Sequence, residues 1–139
     1  MKIVIDTNIF WVAISRHSKT HWVLTELIKE TYILCLTTDI LDEYEEIISQ
    51  KMGSQTAKNI MELLDNLPNV EYITKYFLWD LIEEDHDDNK FVDCAVACNA
   101  AYLATNDKHF NILKSVEFPK VNVIKSDDFK LVIDKLNIT

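Results

Sequence analysis

The sequence predicts an α/β domain with a mainly parallel central sheet, and two observations carry that prediction. Short apolar runs, "KIVI", "YILCL", "YLAT" and "VNVI", alternate with longer segments of helical period, which is the pattern of repeated strand–helix–strand units. The chain of 139 residues also has one glycine and two prolines, so no linker, repeat or low-complexity stretch divides it. With 48% hydrophobic residues, that length suits one core, and residues 1–139 read as a single domain.

The first strand runs from Lys2 to Asp6 and turns into a short helical segment, "NIFWVAI". "SRHSKTH" is a polar loop into the helix "HWVLTELIKE", where Trp22, Val23, Leu27 and Ile28 keep the 3.6-residue period. "YILCL" is the second strand. "TTDILDEYEEIISQKM" carries cap-type residues at Thr38 and Asp39, an apolar face of Ile40, Tyr44, Ile47 and Ile48, and a stop near Gly53. "SQTAKNIMELLDNL", with Ser54 as a cap, forms a helical hairpin with it and stops before Pro68. "VEYITKYF" reads as a strand, "EEDHDDN" as an acidic loop and "KFVDCAVACNAA" as a helix of small residues. "YLAT" is a strand, "DKHFNIL" a helix start, "VNVI" a strand, and "SDDFKLVIDKL" a last helix capped by Ser126.

Composition sets bounds on function. No signal-peptide pattern and no run of roughly 20 apolar residues is visible, so a soluble, cytoplasmic protein without a membrane partner is expected. Cys35, Cys94 and Cys98 form neither a CxxC pair nor an even set and read as small buried hydrophobes rather than a disulfide or zinc framework. The formal net charge of −9 opposes nonspecific nucleic-acid binding, which rests on Lys and Arg. A site that gathers carboxylates around divalent metal would itself contribute negative charge.

The acids have a pattern. Ligands of open α/β sheets sit beyond the carboxyl ends of the parallel strands, and Asp6 follows "IVI" there while Asp107 follows "YLATN". Glu43 borders the apolar face of its helix, and Asp93 stands above a strip of small residues with Ala97 and Ala100 at i+4 and i+7. Four carboxylates with no His or Cys between them make a hard oxygen set that suits Mg²⁺ or Mn²⁺ better than zinc. Ions held there could activate water and support attack on a phosphodiester. Arg16, Lys19, Lys90 and Lys108 flank these acids and could receive backbone phosphates, or be ordinary solvated residues.

"DTNIF", Glu43 in "LDEYEEI", "DDNKFVDCAVACNAAYLAT" and "TNDKHF" resemble the ordered acidic motifs of PIN domains, above all the VapC-like toxins of toxin–antitoxin systems. The resemblance implies a three-layer α/β/α fold and a metal-dependent endoribonuclease, held inactive by a cognate antitoxin, with a homodimer as a family expectation. It assigns the metal to Asp6, Glu43, Asp93 and Asp107, and accessory roles to Asn8 and Thr105. Asp88 also matches a recurrent acid; its five-residue offset turns it about 140° from Asp93 on a helix, which leaves it as either ligand or N-cap. Two other functions compete. A PIN-like interaction module without chemistry would keep the fold, and a haloacid-dehalogenase-like phosphatase would also open with a strand and Asp, although it would want a second acid where Asn8 stands.

Overall fold

The computed structural model describes residues 1–75 and 77–138. Its sheet has five strands, β1 (Lys2–Ile5), β2 (Ile33–Leu36), β3 (Val70–Tyr72), β4 (Tyr102–Ala104) and β5 (Val123–Ile124), in the order β3-β2-β1-β4-β5. All four pairings are parallel. The helices α1 (Thr7–Val12), α2 (Trp22–Ile28), α3 (Thr38–Met52), α4 (Ser54–Asn66), α5 (Asn89–Cys98) and α6 (Ser126–Ile138) flank it, giving the expected α/β/α layering. Among the described residues no helix is long and apolar enough to cross a membrane.

The central strand has no face toward water: Ile3, Val4 and Ile5 are fully buried, as a parallel strand covered on both sides requires. Helix α5 packs on β1, β2 and β4, bringing its small residues Cys94, Ala95 and Cys98 onto the sheet. All three cysteines are free and buried. On α6, Phe129 meets Trp22 and Tyr32 edge-on, at centroid distances of 5.2 and 5.4 Å. Gly53 has φ +94 and joins α3 to α4, a backbone angle that favours the one residue without a side chain.

Several boundaries differ from the sequence reading. The strand expected over "VEYITKYF" is paired over Val70–Tyr72, with one further bond from the Ile73 amide to the Leu36 carbonyl at 2.8 Å. Beyond Leu36 the chain of β2 turns into α3, so β3, at the sheet edge, loses its neighbour; Tyr76 lies outside the described residues. The helix start at "DKHFNIL" is a 3₁₀ segment, Lys108–Ser115, and the acidic loop contains a 3₁₀ turn, His86–Asp88, that leads directly into α5. Ser54 is the first residue of α4 and makes no cap bond, because Gly53 occupies the cap position. Thr37, rather than Thr38 or Asp39, occupies the N-cap position of α3, and its side chain makes no cap bond to the helix.

One buried contact ties the helix that bears Glu43 to the strand that bears Asp6. The Tyr44 hydroxyl donates to the Ile5 carbonyl, and its ring stacks on Phe10 at 4.3 Å. Tyr44→Phe is expected to lower stability by about 1–2 kcal/mol, the usual net loss for a buried hydrogen bond, read as a fall in urea midpoint with an unchanged m-value.

Candidate metal centre

The register of the sheet builds the centre. Ile3, Val4 and Ile5 pair with Tyr102, Leu103 and Ala104, and the Asp6 amide continues the ladder to the Ala104 carbonyl at 3.0 Å. Asp6 and Thr105 therefore leave the sheet side by side. The Thr105 hydroxyl donates to Asp6 Oδ2 at 2.7 Å and accepts from the Asp107 amide at 3.0 Å, so one buried hydroxyl fixes both acids. Asp107 in turn caps the 3₁₀ segment, accepting from the His109 amide at 2.9 Å. Between them, Asn106 accepts from the Ser126 amide at 3.0 Å and donates to its hydroxyl at 3.1 Å. The predicted cap residue of α6 thus anchors the turn that presents Asp107.

Asp88 completes the group. It precedes α5 without making a side-chain cap bond, and its Oδ2 is buried without a hydrogen-bond partner. Burial, with the charges of Asp85, Asp6 and Asp107 adding to it, pushes its pKa up to about 7. Burial likewise raises that of Asp6, with Asp107 and Glu43 adding to the shift and the Thr105 bond opposing it. His109 lies against the same group: its Nδ1, also buried and without a hydrogen-bond partner, is 3.8 Å from Asp88 Oδ2 and 3.6 Å from Asp107 Oδ1. Its Nε2 is 3.2 Å from Glu84. Ligand atoms of Asp85, Asp88 and His109 fall within 4.8 Å of one another. Two orphaned polar atoms facing each other among carboxylates fit a divalent cation, which would satisfy both and cancel the repulsion.

The remaining predicted residues are placed differently. Asp93 is buried but faces the segment before α5: its Oδ1 accepts from the Trp79 amide at 3.0 Å, and its charged neighbours are Lys75, Asp39 and Asp80. Asp88 lies in the 3₁₀ turn before α5 and Asp93 within α5, and it is Asp88 whose carboxyl feels the charges of Asp6 and Asp107. Glu43 is half-buried, accepts from the Thr7 hydroxyl, and is paired at 2.8 Å with Lys90, which also reaches Asp87 at 2.9 Å. Lys90 is therefore engaged with acids. Asn8 is exposed, accepts from the Trp11 indole at 3.3 Å, and with Asp6, Asp107 and Thr20 lines a cleft of about 330 Å³. Arg16, Lys19 and Lys108 are exposed. His109 and Asp85 were absent from the predicted set; the available signal was a histidine two residues past Asp107 and an acid one helical turn before Asp88.

Residues 2–109 match the family model of the PIN domain, and the chain belongs to that family. Solved structures share its fold at low identity. VapBC2 from Rickettsia felis, bound to a DNA fragment from its promoter, is 20% identical, with 90% of this chain and 98% of that chain covered and a TM-score of 0.62. VapC20 of Mycobacterium tuberculosis, a sarcin–ricin loop cleaving toxin, is 16% identical, with 83% and 97% covered and a TM-score of 0.55. FitAcB from Neisseria gonorrhoeae is 16% identical, with 89% and 97% covered and a TM-score of 0.58. No curated protein matches the chain.

The raised pKa of Asp88 has a consequence for the metal-free protein. Its folded value of about 7 exceeds the ordinary 3.8, so the folded chain keeps a proton that the unfolded chain has lost, and stability falls as pH rises between those values. In EDTA, a loss of roughly 2–4 kcal/mol between about pH 4.5 and 7.5 is expected, measured by denaturant titration. Asp88→Asn should flatten that decline and make the metal-free protein more stable at pH 7.5. A variant profile parallel to wild type would show that Asp88 is not strained.

Proposed function

We propose that this protein is a divalent-metal-dependent endoribonuclease, the toxin of a toxin–antitoxin pair, with Mg²⁺ or Mn²⁺ as cofactor, RNA as substrate and a protein antitoxin as partner. The observation that carries this reading is the grouping of Asp85, Asp88 and His109, with ligand atoms within 4.8 Å of one another and an unpartnered Asp88 oxygen that feels the charges of Asp6 and Asp107. Membership of the PIN family supports it, and the toxin assignment draws on the likeness to VapC20.

Asp6, Asp88 and Asp107 would hold the cation, with His109 and Asp85 beside them. When bound, it would supply Lewis-acid stabilisation of charge on a phosphate oxygen and lower the pKa of a nearby water. The chain does the positioning. Thr105 fixes Asp6 and the turn of Asp107, so two carboxylates are rigid before substrate arrives. Lys90 neutralises Glu43 and holds that carboxylate at the border of the site. Asn8 and Thr20, on the rim of the cleft beside Asp6, offer neutral hydrogen-bonding groups to an incoming phosphodiester. The three acids match no phosphatase arrangement of two acids separated by one residue, since Asn8 stands at the second position.

Purified protein incubated with a mixed RNA pool in Mn²⁺ or Mg²⁺ should cut it, and EDTA should stop the cutting. Asp6→Asn, Asp88→Asn and Asp107→Asn are each expected to reduce cleavage by about 10²-fold or more, the usual size for removing a charge-stabilising group. Asp93→Asn, which disturbs a backbone tether, should stay within about fivefold of wild type once corrected for folded fraction. Cleavage that survives in EDTA or in Asp88→Asn would overturn the assignment, and metal binding without any cleavage would favour the interaction-module reading.

A further inference from the structure

The acid cluster has two flanks of opposite character. On the Lys90 side is a cleft of about 450 Å³ lined by Asp39, Asp80, Asp87 and Asp93. Its two lysines are engaged: Lys75 with Asp39 at 2.6 Å, and Lys90 with Glu43 and Asp87. A phosphate entering there would meet four carboxylates and lysines already committed to acids. Beyond Asp107 the charge reverses. Residues 108–125 hold four lysines and a single acid, Glu117, within a chain of net charge −9. Three of these lysines, Lys108, Lys114 and Lys125, line one cleft of about 240 Å³ together with Asn111. All three are exposed, and among the described residues none has a carboxylate within ion-pair distance, although Asp128 lies on the same rim. This cleft and the one beside Asp6 share Asn106 and Asp107, so the lysines begin where the acid cluster ends.

We propose that the Lys108–Lys114–Lys125 cleft is the track along which the RNA backbone passes on one side of the bond to be cut, each ammonium facing a phosphate. The proposal rests on the ribonuclease reading and adds to it the path of the substrate. Unpaired lysines on an otherwise acidic surface are the groups whose counterions a polyanion can release, and the acidic flank confines that polyanion to one side. Lysine ammonium groups contact phosphate as point charges without reading sequence, so the track positions the strand and leaves choice of sequence to other groups.

The test reads binding, not cleavage. A 5′-labelled single-stranded RNA 20-mer is titrated with protein in EDTA at 25–200 mM KCl, followed by fluorescence anisotropy, and the dependence of log Kd on log salt is taken. The variant Lys108→Gln/Lys114→Gln/Lys125→Gln is compared with wild type and with a charge-matched control, Lys29→Gln/Lys58→Gln/Lys135→Gln. Three lost phosphate contacts on a single strand lower the salt slope by about 2, and affinity at 50 mM KCl should fall at least tenfold, against less than threefold for the control. Equal slopes in the two triple variants, or no RNA binding by wild type at 25 mM KCl, would overturn the track. A lost slope in a protein that never cuts would instead keep the track and remove the nuclease reading. All six positions lie outside the acid cluster, and circular dichroism melts check that each variant folds.

Discussion

Three carboxylates gathered at the end of a buried strand repel one another, and much of the surrounding structure is what holds them there. The parallel register of β1 and β4 fixes Asp6 beside Thr105, whose hydroxyl then serves two acids at once. Asn106, locked to the start of α6, presents Asp107. The third acid depends on Asn89, buried at the start of α5, which exchanges hydrogen bonds with the backbone of Ile82 at 2.9 and 3.0 Å. Each acid is delivered by a different element, so no local rearrangement relieves the repulsion without disturbing the sheet or a helix.

This division of labour separates stability from chemistry among residues that look alike in the sequence. Asp39, Asp93 and Asp87 are acids near the same edge, yet each has a partner: Lys75, the Trp79 amide and Lys90 respectively. Buried polar groups ordinarily have a hydrogen-bond partner. Asp88, whose Oδ2 has none, stands out from them by that absence. Strain of this kind concentrates where proteins bind or react.

The fold was largely legible because its information is periodic. Apolar runs of strand length between segments of helical period specify a parallel α/β sheet almost irrespective of detail, and the carboxyl-edge rule then locates Asp6 and Asp107. Asp88 against Asp93 was not decidable in the same way. Both are acids near the start of one helix, and the choice depends on where that helix begins, which a 3₁₀ turn shifts to Asn89. A mid-helix place above small residues and the family motif favoured Asp93; its tether to the Trp79 amide joins residues fourteen apart and has no sequence signature. His109 escaped for a related reason, since its approach to Asp88 follows from a 3₁₀ segment where an α-helix was expected. The net charge misled in part because it is a sum: it conceals the lysines between positions 108 and 125.

The pairing of Lys90 with Glu43 makes one counter-ion of the acidic edge a covalent part of the chain. A tethered ammonium cannot be diluted or chelated away, and its charge is strengthened there: burial opposes it, but Glu43 and Asp87 together raise its pKa above the ordinary lysine value. The edge is thus divided into a half compensated from within the chain and a half, around Asp88, whose carboxyl oxygen has no hydrogen-bond partner. The lysine meanwhile clasps α3 to α5 through Glu43, so the compensated half is also the half in which two helices are joined.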